Sequence, residues 1–129
     1  DQQLKIVIVD DDASQLRLYA KYFDAWGVNV SITTALDGYQ GLVRIGHESP
    51  DIIITDLVMP NMDGFQLVKA VDEFPELDQS LIIVVVTGLM EIEVGERNYL
   101  PKRVRLLTKP IPFKELEVLV RQTIDAKRY

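Results

Sequence analysis

Acidic residues, a threonine and a lysine occur in this sequence directly after short apolar runs. Asp10 and Asp11 follow LKIVIV, and Asp56 follows DIIIT. Thr87 follows LIIVVV, and Lys109 comes shortly after the weaker run RVRLL. Clustered carboxylates repel one another and need a cation, and oxygen-only ligands suit Mg²⁺. Because a carboxylate between a metal and a lysine can attack phosphorus, these residue types favour phosphoryl transfer.

The elements that must position these residues alternate along the chain. Strands are predicted at 4–9, 28–33, 51–55, 81–86 and 103–107. Helices are predicted up to a stop at Gly27, then at 39–45, 65–74, 90–99 and 113–126, the segment 90–99 being short or irregular. This alternation predicts an α/β domain with a parallel sheet and helices on both faces. Ligands of such a sheet bind beyond the carboxyl ends of its strands, so the five side chains should meet at one edge.

Composition narrows the function classes. The chain has 129 residues, of which 47% are apolar, and residues 1–129 are expected to form one domain. The net charge of −6 argues against direct nucleic-acid binding, which usually draws on a basic surface. The absence of cysteine excludes disulfides and thiolate metal sites, and it makes the cytoplasm the expected location. No apolar run approaches a membrane span of about 20 residues, so no membrane partner is expected.

The sequence resembles the response-regulator receiver domains of two-component signalling over essentially its whole length. The matching pieces, in order, are Asp10-Asp11, TDLVMPNMDGF at 55–65, Thr87-Gly88 and Lys109-Pro110. Each piece alone is a weak signal, but all four together, each after a predicted strand, are specific. The resemblance implies a flavodoxin-like, doubly wound sheet of five parallel strands in the order 2-1-3-4-5.

The resemblance also implies roles for individual residues. Asp56 is the implied phospho-acceptor. The implied Mg²⁺ ligands are Asp11 directly, Asp10 mostly through water, Asp56 itself and the backbone carbonyl of Val58. Thr87 and Lys109 are the implied contacts of the phosphoryl group, and the Lys109–Pro110 peptide is expected to be cis. Asp12 is interpreted as a solvated or helix-capping acid rather than a ligand, and Asp63-Gly64 as turn residues rather than a metal site.

The partners follow from the same resemblance. The donor is expected to be a phosphohistidine on a histidine kinase or a histidine phosphotransfer protein. The chain would catalyse only its own phosphotransfer and autodephosphorylation, and so would not be an enzyme in the ordinary sense. An output domain or partner protein is expected on the face of helix 90–99, strand 103–107 and helix 113–126. The basic residues Lys102, Arg103 and Arg105 on this face are either a solvated surface or a docking patch.

Leu106 departs from the family pattern, in which an aromatic residue often stands three positions before the lysine. Together with Thr87 it occupies the switch positions, and without a ring Leu106 is expected to move little on phosphorylation. The change is then expected in the loop after the fourth strand and in segment 90–99.

Two other functions compete with a phosphorylation switch. A phosphatase with an aspartyl nucleophile would want a second acid two residues beyond it, where Val58 stands. A degenerate receiver, which binds partners without being phosphorylated, is disfavoured by the complete set of acids, threonine and lysine. Leu106 keeps that second alternative open.

Overall fold

A computed structural model gives the fold and describes residues 3–74, 76–77, 80–88 and 100–127. Within this part of the chain there are five strands and four helices. The strands are β1 (Leu4–Val9), β2 (Val30–Ala35), β3 (Ile52–Thr55), β4 (Ile82–Thr87) and β5 (Arg105–Thr108). The helices are α1 (Ala13–Trp26), α2 (Gly38–Glu48), α3 (Gly64–Asp72) and α4 (Phe113–Lys127). The helix predicted at 90–99 lies outside the described residues.

The five strands form one parallel sheet in the order β2-β1-β3-β4-β5. Central strands β1, β3 and β4 are largely buried on both faces, with Lys5 of β1 exposed, as expected of strands covered by helices on both sides. The predicted parallel sheet and its strand order are therefore confirmed.

Alternating side chains of the strands build two separate cores, one on each face of the sheet. Val7, Ile53 and Val85 face a cluster that includes Ile45 of α2 and Leu67 of α3. The intervening residues face the other side, where α1 and α4 pack, and this cluster contains Ile6, Ile8, Ile54, Val84, Val86, Tyr19, Phe23, Leu116 and Val120. Helices thus cover both faces, as predicted.

Strand β2 begins two residues later than predicted. The backbone of Gly27 is left-handed (φ 64°) and ends α1, and Val30 then donates a hydrogen bond back to the carbonyl of Val28 (3.1 Å). The strand starts only where its pairing with β1 starts, at Leu4 opposite Val30. β-Branched composition predicted the strand, but pairing with β1 sets its first residue.

Capping explains the altered start of α2. The Asp37 side chain accepts a hydrogen bond from the backbone N–H of Gln40 (2.9 Å), so the helix begins at Gly38. It continues to Glu48, three residues beyond the predicted end at Ile45.

Candidate functional site

The residues predicted to form the site lie together at the carboxyl edge of the sheet. Asp10 follows β1, Asp56 follows β3, Thr87 ends β4, and Lys109 follows β5. Backbone hydrogen bonds extend the ladder one step beyond the strands: Asp56 N–H donates to Val9 (3.1 Å), and Lys109 N–H donates to Thr87 (2.8 Å). The site residues are therefore held by the sheet itself rather than by free loops.

Asp10, Asp11 and Asp56 form a carboxylate cluster. One oxygen from each lies within 4.8 Å of the others, and this is the one such group of acidic or histidine side chains among the described residues. Asp10 and Asp56 are buried, whereas Asp11 is exposed. Three converging hard oxygen donors fit a divalent cation such as Mg²⁺, with the exposed side leaving room for water.

Burial raises the pKa of Asp10, and the charges of Asp56 and Asp11 raise it further. The N–H of Asp12, which donates to Asp10 Oδ1 at 2.9 Å, and the ammonium of Lys109 offset part of this. The net direction remains upward, chiefly because Asp10 is buried. Independently of that shift, three carboxylates face one lysine, so the site has more acidic groups than its protein partners can neutralise. This imbalance favours the binding of a cation.

Lys109 connects the acids to the edge strand. Its Nζ donates a hydrogen bond to Asp56 Oδ2 at 2.8 Å and lies 4.0 Å from Asp10 Oδ2. Burial alone would lower the pKa of Lys109, but the hydrogen bond and charge of Asp56, with the charges of Asp10 and Asp11, raise it. The ammonium is therefore fixed beside the predicted acceptor in its charged form.

The other oxygen of Asp56 is held by the loop that follows β3. Asp56 Oδ1 accepts the N–H of Leu57 at 2.7 Å and that of Val58 at 3.4 Å. Gly64, the first residue of α3, allows this loop to close. A Cβ at position 64 would lie 2.1 Å from the carbonyl oxygen of Asp56, so any larger residue displaces the backbone that holds the acceptor.

Two acidic residues near the site serve as helix caps, which confirms the capping interpretation of Asp12, whereas Asp63 had been interpreted only as a turn residue. Asp12 is the N-cap of α1 and accepts from the N–H of Ser14, and hydrogen bonds from Ser14 lower the pKa of Asp12. Asp63 is the N-cap of α3 and forms a reciprocal capping box with Gln66. Each cap begins a helix immediately beside the carboxylate cluster and so fixes the adjoining loop.

Thr87 and Leu106 lie on the same face of the sheet. Thr87 is fully buried, and by alternation along β4 it points to the same side as Val85. Leu106 is half-buried, pairs with Val85 across β4 and β5, and packs in the same cluster. An aliphatic side chain thus fills the position beside Thr87.

Other predicted residues divide between confirmed and untested. The Lys109–Pro110 peptide is cis, as expected. Val58 lies in the loop after Asp56 with 61% of its surface exposed, and its carbonyl as a metal ligand stays a prediction. Of the basic residues, Arg103 is engaged with Asp72 (Nε–Oδ1 3.3 Å), whereas Lys102 and Arg105 are exposed.

Sequence reasoning assigned no role at the site to the aromatic residues of α1. In the structure Tyr19 is buried and Tyr22 keeps 41% of its surface exposed, and both contact Phe113 just beyond the Lys109 loop. Helical spacing placed the two tyrosines on adjacent turns, but nothing local indicated that they meet Phe113.

Comparison with known proteins identifies the class of protein that this fold and site define. A sequence model of the response regulator receiver domain matches residues 6–121. The chain therefore belongs to the response-regulator receiver domain family of two-component systems. In this family a phosphorylation-dependent switch is general, and receiver domains typically bind Mg²⁺.

Individual relatives agree with this assignment. The chain is 28% identical over 112 residues to the response regulator receiver protein CpdR of Brucella abortus, covering 87% of this chain and 89% of that protein. It is 24% identical to the transcriptional regulatory protein ZraR of Klebsiella oxytoca, covering 98% of this chain but only 28% of ZraR. The chain thus spans under a third of that longer relative.

Solved structures show the same fold. The chemotaxis protein CheY4 of Vibrio cholerae superposes with a TM-score of 0.79 at 25% identity, covering 95% of this chain and 99% of that one. The signal receiver domain of an HD domain-containing protein from Pseudomonas fluorescens gives a TM-score of 0.80 at 20% identity, covering 98% of both chains.

None of the helices in the described part of the chain combines the length and the apolar character that a membrane span requires.

Proposed function

We propose that this chain is a phosphorylation switch that accepts a phosphoryl group on Asp56. The observation that supports this most is the contact of 2.8 Å between Lys109 Nζ and Asp56 Oδ2 beside two further carboxylates. A bound Mg²⁺, held by Asp10, Asp11, Asp56 and the Val58 carbonyl, would neutralise charge on the incoming phosphoryl oxygens.

In the proposed transfer, an Asp56 carboxylate oxygen forms a bond to phosphorus while the bond from phosphorus to the donor imidazole nitrogen breaks. The imidazole leaves with the electron pair, and no redox partner is needed. Lys109 offers its ammonium to one phosphoryl oxygen and the Thr87 hydroxyl donates to another. The chain thus contributes positioning and charge, which is the main part of catalysis in phosphoryl transfer.

The phosphoryl donor, the cellular location and the output partner that we propose are those expected from the sequence. The donor is a histidine kinase or a histidine phosphotransfer protein, and the location is the cytoplasm. The whole segment 1–129 acts as one receiver domain, which turns over only its own phosphoryl group. The output partner binds the face that includes β5 and α4, where Lys102 and Arg105 are exposed.

We also propose that Thr87 moves toward the phosphoryl group while Leu106 changes little. Leu106 is already packed against the cluster that contains Val85, and it has no ring or hydroxyl to gain a new contact. NMR spectra with and without beryllofluoride and Mg²⁺ test this. Large shifts should appear from Gly88 to Arg105, and shifts confined to α2 would contradict the mechanism.

Labelling by a small phosphodonor tests the acceptor. Intact-mass spectrometry should show one added phosphoryl group on the parent in Mg²⁺ and none in Asp56→Asn, which keeps the shape but lacks the nucleophile. Asp51→Asn is the matched control, because Asp51 precedes β3 as Asp56 follows it, and it should label like the parent. Equal labelling of Asp56→Asn would place the acceptor elsewhere, and no labelling of the parent would favour the degenerate receiver.

A further inference from the structure

Phe113, the first residue of α4, is held by two tyrosines of α1. Its ring stacks on Tyr22 with centroids 3.8 Å apart and planes within 3°, and it meets Tyr19 edge-on at 5.5 Å and 71°. Tyr19 is itself buried against the sheet. Aromatic pairs in these geometries are directional as well as apolar, so they fix where the start of α4 lies relative to α1.

The Lys109 loop lies between this aromatic contact and the sheet. On the sheet side, Lys109 N–H donates to the carbonyl of Thr87 at 2.8 Å. On the helix side, Ile111 packs in the α1 and α4 core, and Phe113 N–H donates to the carbonyl of Ile111 at 2.9 Å. Only the short segment 110–112 separates Lys109 from Phe113. A displacement of Phe113 is therefore transmitted to the backbone from which the Lys109 side chain extends.

We propose that Phe113, gripped by Tyr19 and Tyr22, is a positioning residue that sets the place of the Lys109 ammonium beside Asp56. It touches no reacting atom and acts only through Lys109. This inference deepens the proposed function, on which it rests, by naming what holds the phosphoryl-contacting lysine. Since Lys109 Nζ bonds Asp56 Oδ2 at 2.8 Å, small displacements change its contact with the acceptor.

A second aromatic contact on the same helix provides the control. Phe23 and Trp26 pack at 4.5 Å near the far end of α1, where Arg121 of α4 also donates to the carbonyl of Trp26. This ring contact lies within α1, but Trp26 also packs against the core that α1 and α4 share. Unlike Phe113, Trp26 is not joined to Lys109 by a short loop. If Phe113 mattered only through packing, Trp26→Leu would weaken binding as much as Phe113→Leu does.

The affinity for beryllofluoride in saturating Mg²⁺, followed by ¹⁹F NMR on the full chain, measures phosphoryl-group binding without turnover. Phe113→Leu and Tyr22→Ala should weaken it about three- to tenfold, the range that loss of one aromatic pair corresponds to. Phe113→Tyr and Tyr22→Phe keep the rings and should bind like the parent. Trp26→Leu should bind like the parent even if its melting temperature falls.

A double-mutant cycle then asks whether Phe113 acts through Lys109. In a Lys109→Met background, Phe113→Leu should cause no further loss of affinity, because the group that it positions is gone. Additive losses, equal weakening by Trp26→Leu, or parent-like affinity of Phe113→Leu would each overturn the positioning role.

Failure of the proposed function is distinguishable from failure of this inference. A parent protein that neither labels nor binds beryllofluoride refutes the function alone. A crystal structure of Phe113→Leu then decides the inference. The contact between Lys109 Nζ and Asp56 Oδ2 should be lost or lengthened, and its retention at hydrogen-bonding distance would overturn the proposal.

Discussion

Two lysine–aspartate pairs lie at opposite ends of β3 and differ in their surroundings. At the carboxyl end Lys109 contacts Asp56 at 2.8 Å, and at the amino end Lys127 contacts Asp51 at 3.0 Å. The two lysine side chains are about equally exposed, at 31% and 30%. The chemistry of the pairs is the same, so their different consequences come from their neighbours.

The amino-end pair is balanced, and its contacts hold elements together. Asp51 accepts both the Lys127 ammonium and the backbone N–H of Lys5 (2.8 Å), and Lys127 also donates to the carbonyl of Gln3 (3.4 Å). These contacts tie the end of α4 to the starts of β1 and β3. The carboxyl-end pair instead shares its space with Asp10 and Asp11, so that three carboxylates face one lysine. A matched pair stabilises the fold, whereas an unmatched cluster is suited to binding a cation and a phosphoryl group.

The largest expected difference between the two ends is in phosphorylation rate. Lys109→Met removes the cation that stabilises charge on the transferred group and should slow labelling by a small phosphodonor about 100-fold. Lys127→Met should leave the rate unchanged. The measurement is the rate constant of labelling by mass spectrometry in saturating Mg²⁺, and equal rates for the two variants would erase the distinction.

Mg²⁺ should raise the stability of the protein through the carboxyl-end cluster and not through the amino-end pair. A ligand that binds only the native state at ten times its dissociation constant adds about 1.4 kcal/mol, or about 5 °C in melting temperature. Asp11→Ala should lose most of this gain. Asp51→Ala should be less stable than the parent both with and without Mg²⁺, but its melting temperature should still rise by the same amount when Mg²⁺ is added. Calorimetry with Mg²⁺ and with a chelator measures both, and an increment that survives Asp11→Ala would contradict the site.

The dependence of stability on pH should reveal the cost of ionising Asp10 in its buried position. Because the pKa of Asp10 is raised in the folded state, the unfolded chain releases this proton more readily, and stability falls as pH rises from 3.8 through the folded value. In a chelator, Asp10→Asn should therefore be more stable than the parent at pH 7, and the gain should shrink as the pH falls toward 3.8. Urea unfolding across this range is the measurement, and a gain independent of pH would argue against ionisation as its cause.

The smallest effect is expected at the balanced pair. Lys127→Met should lower the free energy of unfolding by about 0.5 kcal/mol, because partly exposed ion pairs are screened by solvent. The loss should decrease in high salt. A loss of several kcal/mol would mean that the amino-end pair is essential to the fold rather than supportive.

Much of the fold and site could be predicted because its signals are local. The runs LKIVIV, DIIIT and LIIVVV are rich enough in β-branched residues to indicate buried strands. Parallel sheets bind their ligands at the carboxyl ends of such strands. Strand boundaries were less predictable, since β2 starts at Val30 only where β1 can pair with it. The strand order came from family resemblance, because periodicity does not tell which strands are neighbours.

The sequence by itself determined the residue types of the site and the strands that bear them, because strand ends and helix caps are set by residues a few positions apart. Tertiary structure decided which groups touch. The 2.8 Å contact of Lys109 with Asp56 and the stack of Phe113 on Tyr22 join distant segments. Such distances depend on how the helices pack across the whole sheet, and no local pattern encodes that packing.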